Sequence, residues 1–239
     1  FTAEDMGLET VGTRGEDGKI RLYQEVWDFY HATIDAFMEA DVKLPLFGLP
    51  TIASVLNVAL NIYGQDILVE MMIDPDNASV DLETINNMLI EIHQRCRALI
   101  PEQQLQPVVS WERTQPPGFG QLCGCSTQLV SAELYRDLIA PLDDKLLSVY
   151  PHGGMIHLCG SHTQHIETFR NMKSLRALQF NDRAHADLKE YFDKLRPDQV
   201  FYVLPCKECS IEQAMEITGG NRLVIVSRTT EPILKEQNQ

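Results

Sequence analysis

The chain has 239 residues, 44% of them hydrophobic, enough to bury the core of one large α/β domain. Its 34 acidic residues against 20 basic ones leave a formal charge of −14. That charge repels phosphate backbones, and no basic stripe interleaved with aromatics offsets it, so nucleic acid is excluded as a partner. Six cysteines are too few for a disulfide-dense secreted scaffold. No apolar run approaches the roughly 18 residues of a membrane span, and residues 1–20 lack a signal-peptide pattern. The expectation is a soluble, cytoplasmic protein, without a membrane partner, whose thiols are free or bind metal.

In chain order, residues 1–20 carry charges and glycines without periodicity. From about Leu22, the apolar positions Val26, Phe29, Tyr30, Ile34 and Phe37 recur at helical spacing, and the run Leu44 to Phe47 reads as a buried strand ended by Gly48 and Pro50. Residues 51–72 read as a helix. A turn at Asp74, Pro75 and Asp76 leads into a second amphipathic helix through Val80, Ile85, Leu89, Ile92 and Cys96, with Asp81 and Glu83 near its positive end. Residues 107–123 offer two strand candidates, Pro107 to Trp111 and Phe119 to Cys123, of which one belongs to the main sheet.

The second half is more regular. Ser131 caps a helix over 131–149, Met155 to Leu158 is a strand, and a helix starts near Thr163. The apolar runs Leu175 to Phe180, Val200 to Leu204 and Leu223 to Val226 are strands separated by helical patterns near 186–195 and 210–217. Such alternation predicts parallel strands joined by crossover helices. The total is six strands in a single domain, 1–239, with no linker or repeat dividing it.

Five of the six cysteines fall at or just after carboxyl ends of these strands, the rim where loops of α/β folds converge on ligands. Cys96 alone lies within a helix. His157 and Cys159 close one strand and, by period-two alternation, project to the same side. Zinc takes thiolate and imidazole ligands in a tetrahedron, and a catalytic site leaves one position for substrate. The expected metal ligands are therefore His157, Cys159 and Cys206, with Cys209, Cys123 and Cys125 ranked below them. Each of these cysteines also fits as a small buried hydrophobe, and the Cys206 to Cys209 spacing also fits a dithiol redox pair. His162 and His165 are either support for the ligands or solvent-facing residues. Asp182 either orients a ligand, acts as a base or caps the next helix.

These residues resemble the uroporphyrinogen decarboxylase superfamily from about Tyr23 to Glu231. Phe47, Gly48, Leu49, Pro50 and Thr51 look like its strand and "G-P-x-T" helix start, and Ser131 to Tyr150 resembles the helix leading into its next barrel strand. The run Ile156, His157, Leu158, Cys159, Gly160 resembles the H-x-C-G signature of the methylcobamide:coenzyme M methyltransferase branch, in which His and Cys bind zinc. The resemblance implies a TIM-type (β/α)8 barrel, a zinc ion that activates a thiol acceptor, and methyl transfer from a corrinoid carried on a separate protein. Two departures stand out. The branch's third ligand is a cysteine after the last strand, where this chain has Val226, Ser227, Arg228 and Thr229. The six strands also map onto the last six of eight, so the chain lacks the first two strands of the barrel. The expectation is that an unseen preceding segment, another chain or a swapped partner supplies them.

The leading expectation is thus a zinc-assisted methyltransferase moving a methyl group between a corrinoid (methylcobalamin on a partner corrinoid protein) and a thiol or similar small-molecule acceptor. The alternatives are a tetrapyrrole decarboxylase like the rest of the superfamily, and a non-catalytic corrinoid- or metal-binding relative.

Overall fold

The computed structural model describes residues 12–14, 20–22, 24–41, 47–48, 52–100, 105–106 and 113–226. Strands β1 (Gly12–Arg14) and β2 (Ile20–Leu22) form an antiparallel pair and are followed by helix α1 (Gln24–Glu39). Strand β3 (Phe47–Gly48) pairs in parallel with β5 (Leu105–Gln106), outside the main sheet. Strand β4 (Ile52–Ala53) is followed by helices α2 (Val55–Tyr63), α3 (Asp66–Ile73) and α4 (Pro75–Leu99). Then come β6 (Gly120–Cys123), α5 (Ala132–Leu134), α6 (Ala140–Leu147), β7 (Gly154–Cys159), α7 (Ile166–Asn171), β8 (Leu175–Asn181), α8 (Leu188–Lys194), β9 (Val200–Val203), α9 (Ile211–Thr218) and β10 (Leu223–Ile225).

The main sheet has six strands in the order β10-β9-β8-β7-β6-β4, every neighbouring pair parallel. Strand order follows chain order without reversal, so this is an α/β fold compatible with part of a TIM-type arrangement. One face of the sheet packs on the helices. Leu122, Ile156, Leu158, Leu178, Phe180, Phe201 and Val203 are all buried there. The other face carries a smaller apolar cluster of Met155, Ala177, Tyr202 and Val226. None of the helices among the described residues is long and apolar enough to cross a membrane.

Three expectations are corrected. The main-sheet edge strand is Ile52–Ala53 and not the run ending at Phe47; Phe47–Gly48 pairs elsewhere, and residues 44–46 lie outside the described residues. The candidate strand Pro107 to Trp111 also lies outside them, while the candidate around Phe119 to Cys123 is β6. The helix expected over 51–72 is two helices, because Gly64, at φ 63 and ψ −146, takes a conformation open only to glycine and ends α2. Likewise 131–149 is not uniform. A widened π turn spans Tyr135–Ile139 just before Pro141, which has no N–H to give to the preceding turn.

Strand β4 and helix α2 are tied to α6 by one buried carboxylate. Asp143 is fully buried and accepts hydrogen bonds from Ser54 Oγ at 2.8 and 2.9 Å and from the Val55 backbone N–H at 3.4 Å. It thereby caps the amino end of α2 from a different helix. Ser54 in turn donates its backbone N–H to Cys123 O at 2.8 Å, which continues the β4–β6 ladder. Burial raises the Asp143 pKa from 3.8 to about 7 against the opposing pull of Ser54, Val55 and Tyr135. Between those values the folded protein holds a proton that the unfolded chain has released, so this residue's contribution to stability falls as pH rises from about 4 to about 7 and is constant above. The Asp143→Asn variant should lose that slope. Urea midpoints measured at pH 5 and pH 8 should drop further in the parent than in the variant; equal drops would remove the assignment.

Close packing also fixes the turn into β7. Gly153 has φ 73, and a Cβ there would lie 2.1 Å from Ser174 O. Gly64 has a similar φ but open space around it. Gly153→Ala should therefore lower the thermal midpoint markedly more than Gly64→Ala, which bears the backbone strain alone, about 1–3 kcal/mol.

Candidate metal centre

Alternation along the strands decides which side chains meet. Ile156 and Leu158 face the helices, so Met155, His157 and Cys159 face the other way. The register then places partners beside them. Cys123 of β6 is opposite His157, His157 is opposite Gln179 of β8, and Cys159 is opposite Asn181. Gly124 extends the β6–β7 ladder by donating to His157 O at 2.8 Å, and the chain turns there into a short 3-10 helix at Cys125–Leu129.

The result is a group in which donor atoms of Cys123, Cys125 and His157 all lie within 4.8 Å of one another. Cys123 Sγ and Cys125 Sγ are 3.6 Å apart. Cys159 adjoins them: its Sγ is 3.1 Å from His157 Nε2 and 3.6 Å from Asn181 Nδ2. His157 is buried, whereas the three cysteines are half-buried, so the sulfurs line the accessible side of the cluster.

The imidazole is held in one tautomer. Gln179 is fully buried and donates its amide N–H to Phe180 O at 2.8 Å. That bond turns its Oε1 toward His157 Nδ1. Because a carbonyl oxygen only accepts, Nδ1 must carry the proton, and Nε2 presents its lone pair toward the thiols. The Cys123 thiol is lowered from 9.0 to about 6, first by the hydrogen bond from Cys125 and then by the positive charge of Arg113, with burial opposing both. Cys125 is raised, because it donates to Cys123 and because it is buried beside Cys159. The first proton therefore leaves Cys123. Two or three thiolates with one imidazole nitrogen form a donor set suited to zinc, and an accepting Gln179 behind the imidazole is the usual support for a histidine ligand.

The structure brings His157 and Cys159 together as the sequence reading expected. It places Cys206 elsewhere. Cys206 packs against the helix-side core and exchanges backbone hydrogen bonds with Cys209, N–H to O distances being 3.0 and 3.3 Å. Cys206 is therefore not in the His157 group. Cys209 is buried in that same core, and burial raises its thiol pKa. Cys123 and Cys125, which the sequence ranked lower, are the thiols beside His157. His162 and His165 are both fully buried and not solvent-facing. Asp182 has φ 49, is exposed, and accepts at its backbone oxygen from His185 Nδ1 at 2.8 Å. Gln179 carried no sequence signal beyond its place among apolar neighbours in a strand.

No family model matches the chain, and no curated protein matches it either.

If Gln179 holds the imidazole in its metal-binding tautomer, Gln179→Leu should weaken zinc binding roughly 10- to 100-fold. Competition with a chromophoric chelator would measure this, and an unchanged dissociation constant would rule the role out.

Proposed function

We propose that the chain is a zinc-assisted methyltransferase in which Cys123, Cys125 and His157 hold the ion and a small thiol accepts the methyl group. The observation that carries the proposal is the convergence of those three donors at the carboxyl rim of a parallel sheet, where α/β folds bind their ligands. Bound zinc would keep an incoming thiol as its thiolate at neutral pH. The chain's own residues supply the rest. Gln179 orients His157, Cys123 ionises readily, and Asn181 Nδ2 lies beside Cys159 Sγ. Below the rim, Met155, Ala177 and Tyr202 form an apolar floor on the same face. A methylated corrinoid would supply the methyl group: the acceptor thiolate would bond to the methyl carbon as the cobalt–carbon bond broke, cobalt would keep that bond's electron pair, and the thiol proton would pass to solvent.

The corrinoid donor on a partner protein, and a (β/α)8 barrel completed by an added segment or second chain, rest on the resemblance of residues 156–160 and 47–51 to the methylcobamide:coenzyme M methyltransferase branch. The ligand set differs from that branch. Cys123 and Cys125, from the neighbouring strand end, take the places of both of its cysteines, the one matching Cys159 and the one after the last strand. The tetrapyrrole decarboxylase alternative needs no metal and assigns no role to these three donors.

A second reading is favoured by one distance. Cys159 Sγ lies 3.1 Å from His157 Nε2, and as a fourth ligand it would close the centre as a structural Cys3His site. The non-catalytic relative would then be the better description.

Purified protein should carry about one zinc per chain by elemental analysis, as three-ligand sites do. Cys123→Ser and His157→Ala should each abolish it, while Cys206→Ser should leave it unchanged. Cobalt-substituted protein should then change its thiolate charge-transfer spectrum on adding mercaptoethanol and should demethylate methylcobalamin. A spectrum indifferent to added thiol would favour the closed site. Zinc retained in the His157 variant would sink the metal centre.

A further inference from the structure

Two buried histidines outside the donor set pack between the loop bearing Cys125 and the segment that follows Cys159, and one of them, His165, bonds across to that loop. His162 is fully buried and donates Nδ1–H to Gly160 O at 3.0 Å, with its ring against the backbone of Gly124 and Cys125. His165, also fully buried, donates Nε2–H to Thr127 O at 2.8 Å. Its ring is wedged between Tyr135, at 4.4 Å between centroids, and Phe169, at 6.0 Å. A neutral imidazole has one N–H, and each ring spends it on a backbone carbonyl, through opposite nitrogens. The remaining nitrogens, His162 Nε2 and His165 Nδ1, have no hydrogen-bond partner, and neither residue belongs to the donor group.

We propose that His162 and His165 are positioning residues of the metal centre, clamping the Gly124–Thr127 turn so that Cys125 stays within reach of His157 while neither histidine binds the ion. The proposal rests on the metal-centre reading above. The geometry requires it to act through the turn. Cys125 sits between the two anchor points, with Gly124 and Cys125 against one ring and the Thr127 carbonyl on the other. Gly160, whose carbonyl takes the His162 bond, has φ 79 and so needs glycine, and a Cβ there would come within 2.4 Å of Gln128 Oε1. The Gln128 side chain thus packs against Gly160, and the segment after Cys159 and the turn after Cys123 are in contact there.

Opposite tautomers make the proposal testable atom by atom. The side-chain amide of Asn can replace an Nδ1–H donor, and that of Gln can replace an Nε2–H donor. His162→Asn and His165→Gln should bind zinc within about threefold of the parent, whereas His162→Gln and His165→Asn should bind roughly tenfold or more weakly, the range seen when support behind ligands is lost. In the cobalt-substituted protein the weak pair should also lose charge-transfer intensity, as one thiolate leaves the ion. Affinity would be measured well below each variant's thermal midpoint. Equal affinities within each Asn/Gln pair would overturn the proposal. So would a loss that follows the thermal midpoint and vanishes on cooling. Failure of the parent itself to bind zinc would instead bring down the metal centre, and the clamp with it.

Discussion

The alternation of side chains along β7 is the constraint on which the rest depends. Ile156 and Leu158 are at most 1% exposed against the helices, and their burial leaves Met155, His157 and Cys159 no choice of side. Each large apolar side chain buried in this way contributes about 1.5–3 kcal/mol, so a one-residue slip of β7 would cost far more than any polar contact of His157 could return. The helix-side core therefore selects the face on which the thiols and the imidazole appear. Register finishes the arrangement by bringing Cys123 and Gln179 in from both neighbours.

Polar groups on the buried side of this arrangement are arranged in relays. The Phe180 carbonyl orients the Gln179 amide, which orients His157. Similarly, Asp143 receives Ser54 and Val55 and so joins α6 to the edge of the sheet. His93 meets Tyr150 at 2.6 Å, and burial lowers its pKa to about 4, which keeps it neutral. Such chains specify geometry because each member has a single way to be satisfied.

Local periodicity made much of this legible. The strands at Met155, Leu175, Val200 and Leu223 are short, predominantly apolar runs of the kind that parallel sheets require, and the spacing of His157 and Cys159 announces a shared side. Pairing between strands leaves no such trace. Nothing near Cys123 indicates that it lies opposite His157, because that follows from the Gly120 to Gly154 alignment, where a Cβ on Gly154 would come within 2.4 Å of Gly120 O. The two-residue edge strand Ile52–Ala53 is too short to show a period. Cys206 misled for the same reason. Its position after a strand looked equivalent to the others, but the 206–209 turn folds back on itself through backbone bonds and sets the thiol against the helix-side core.

The contact between Gly153 and Ser174 has an evolutionary corollary. At that junction two connections from adjacent crossover units meet backbone to backbone, so Gly153 cannot take a side chain without moving the strands that they lead into. Substitution at this end of the sheet is thereby confined, because the two connections lead directly into the strands whose register sets His157 opposite Cys123 and Gln179.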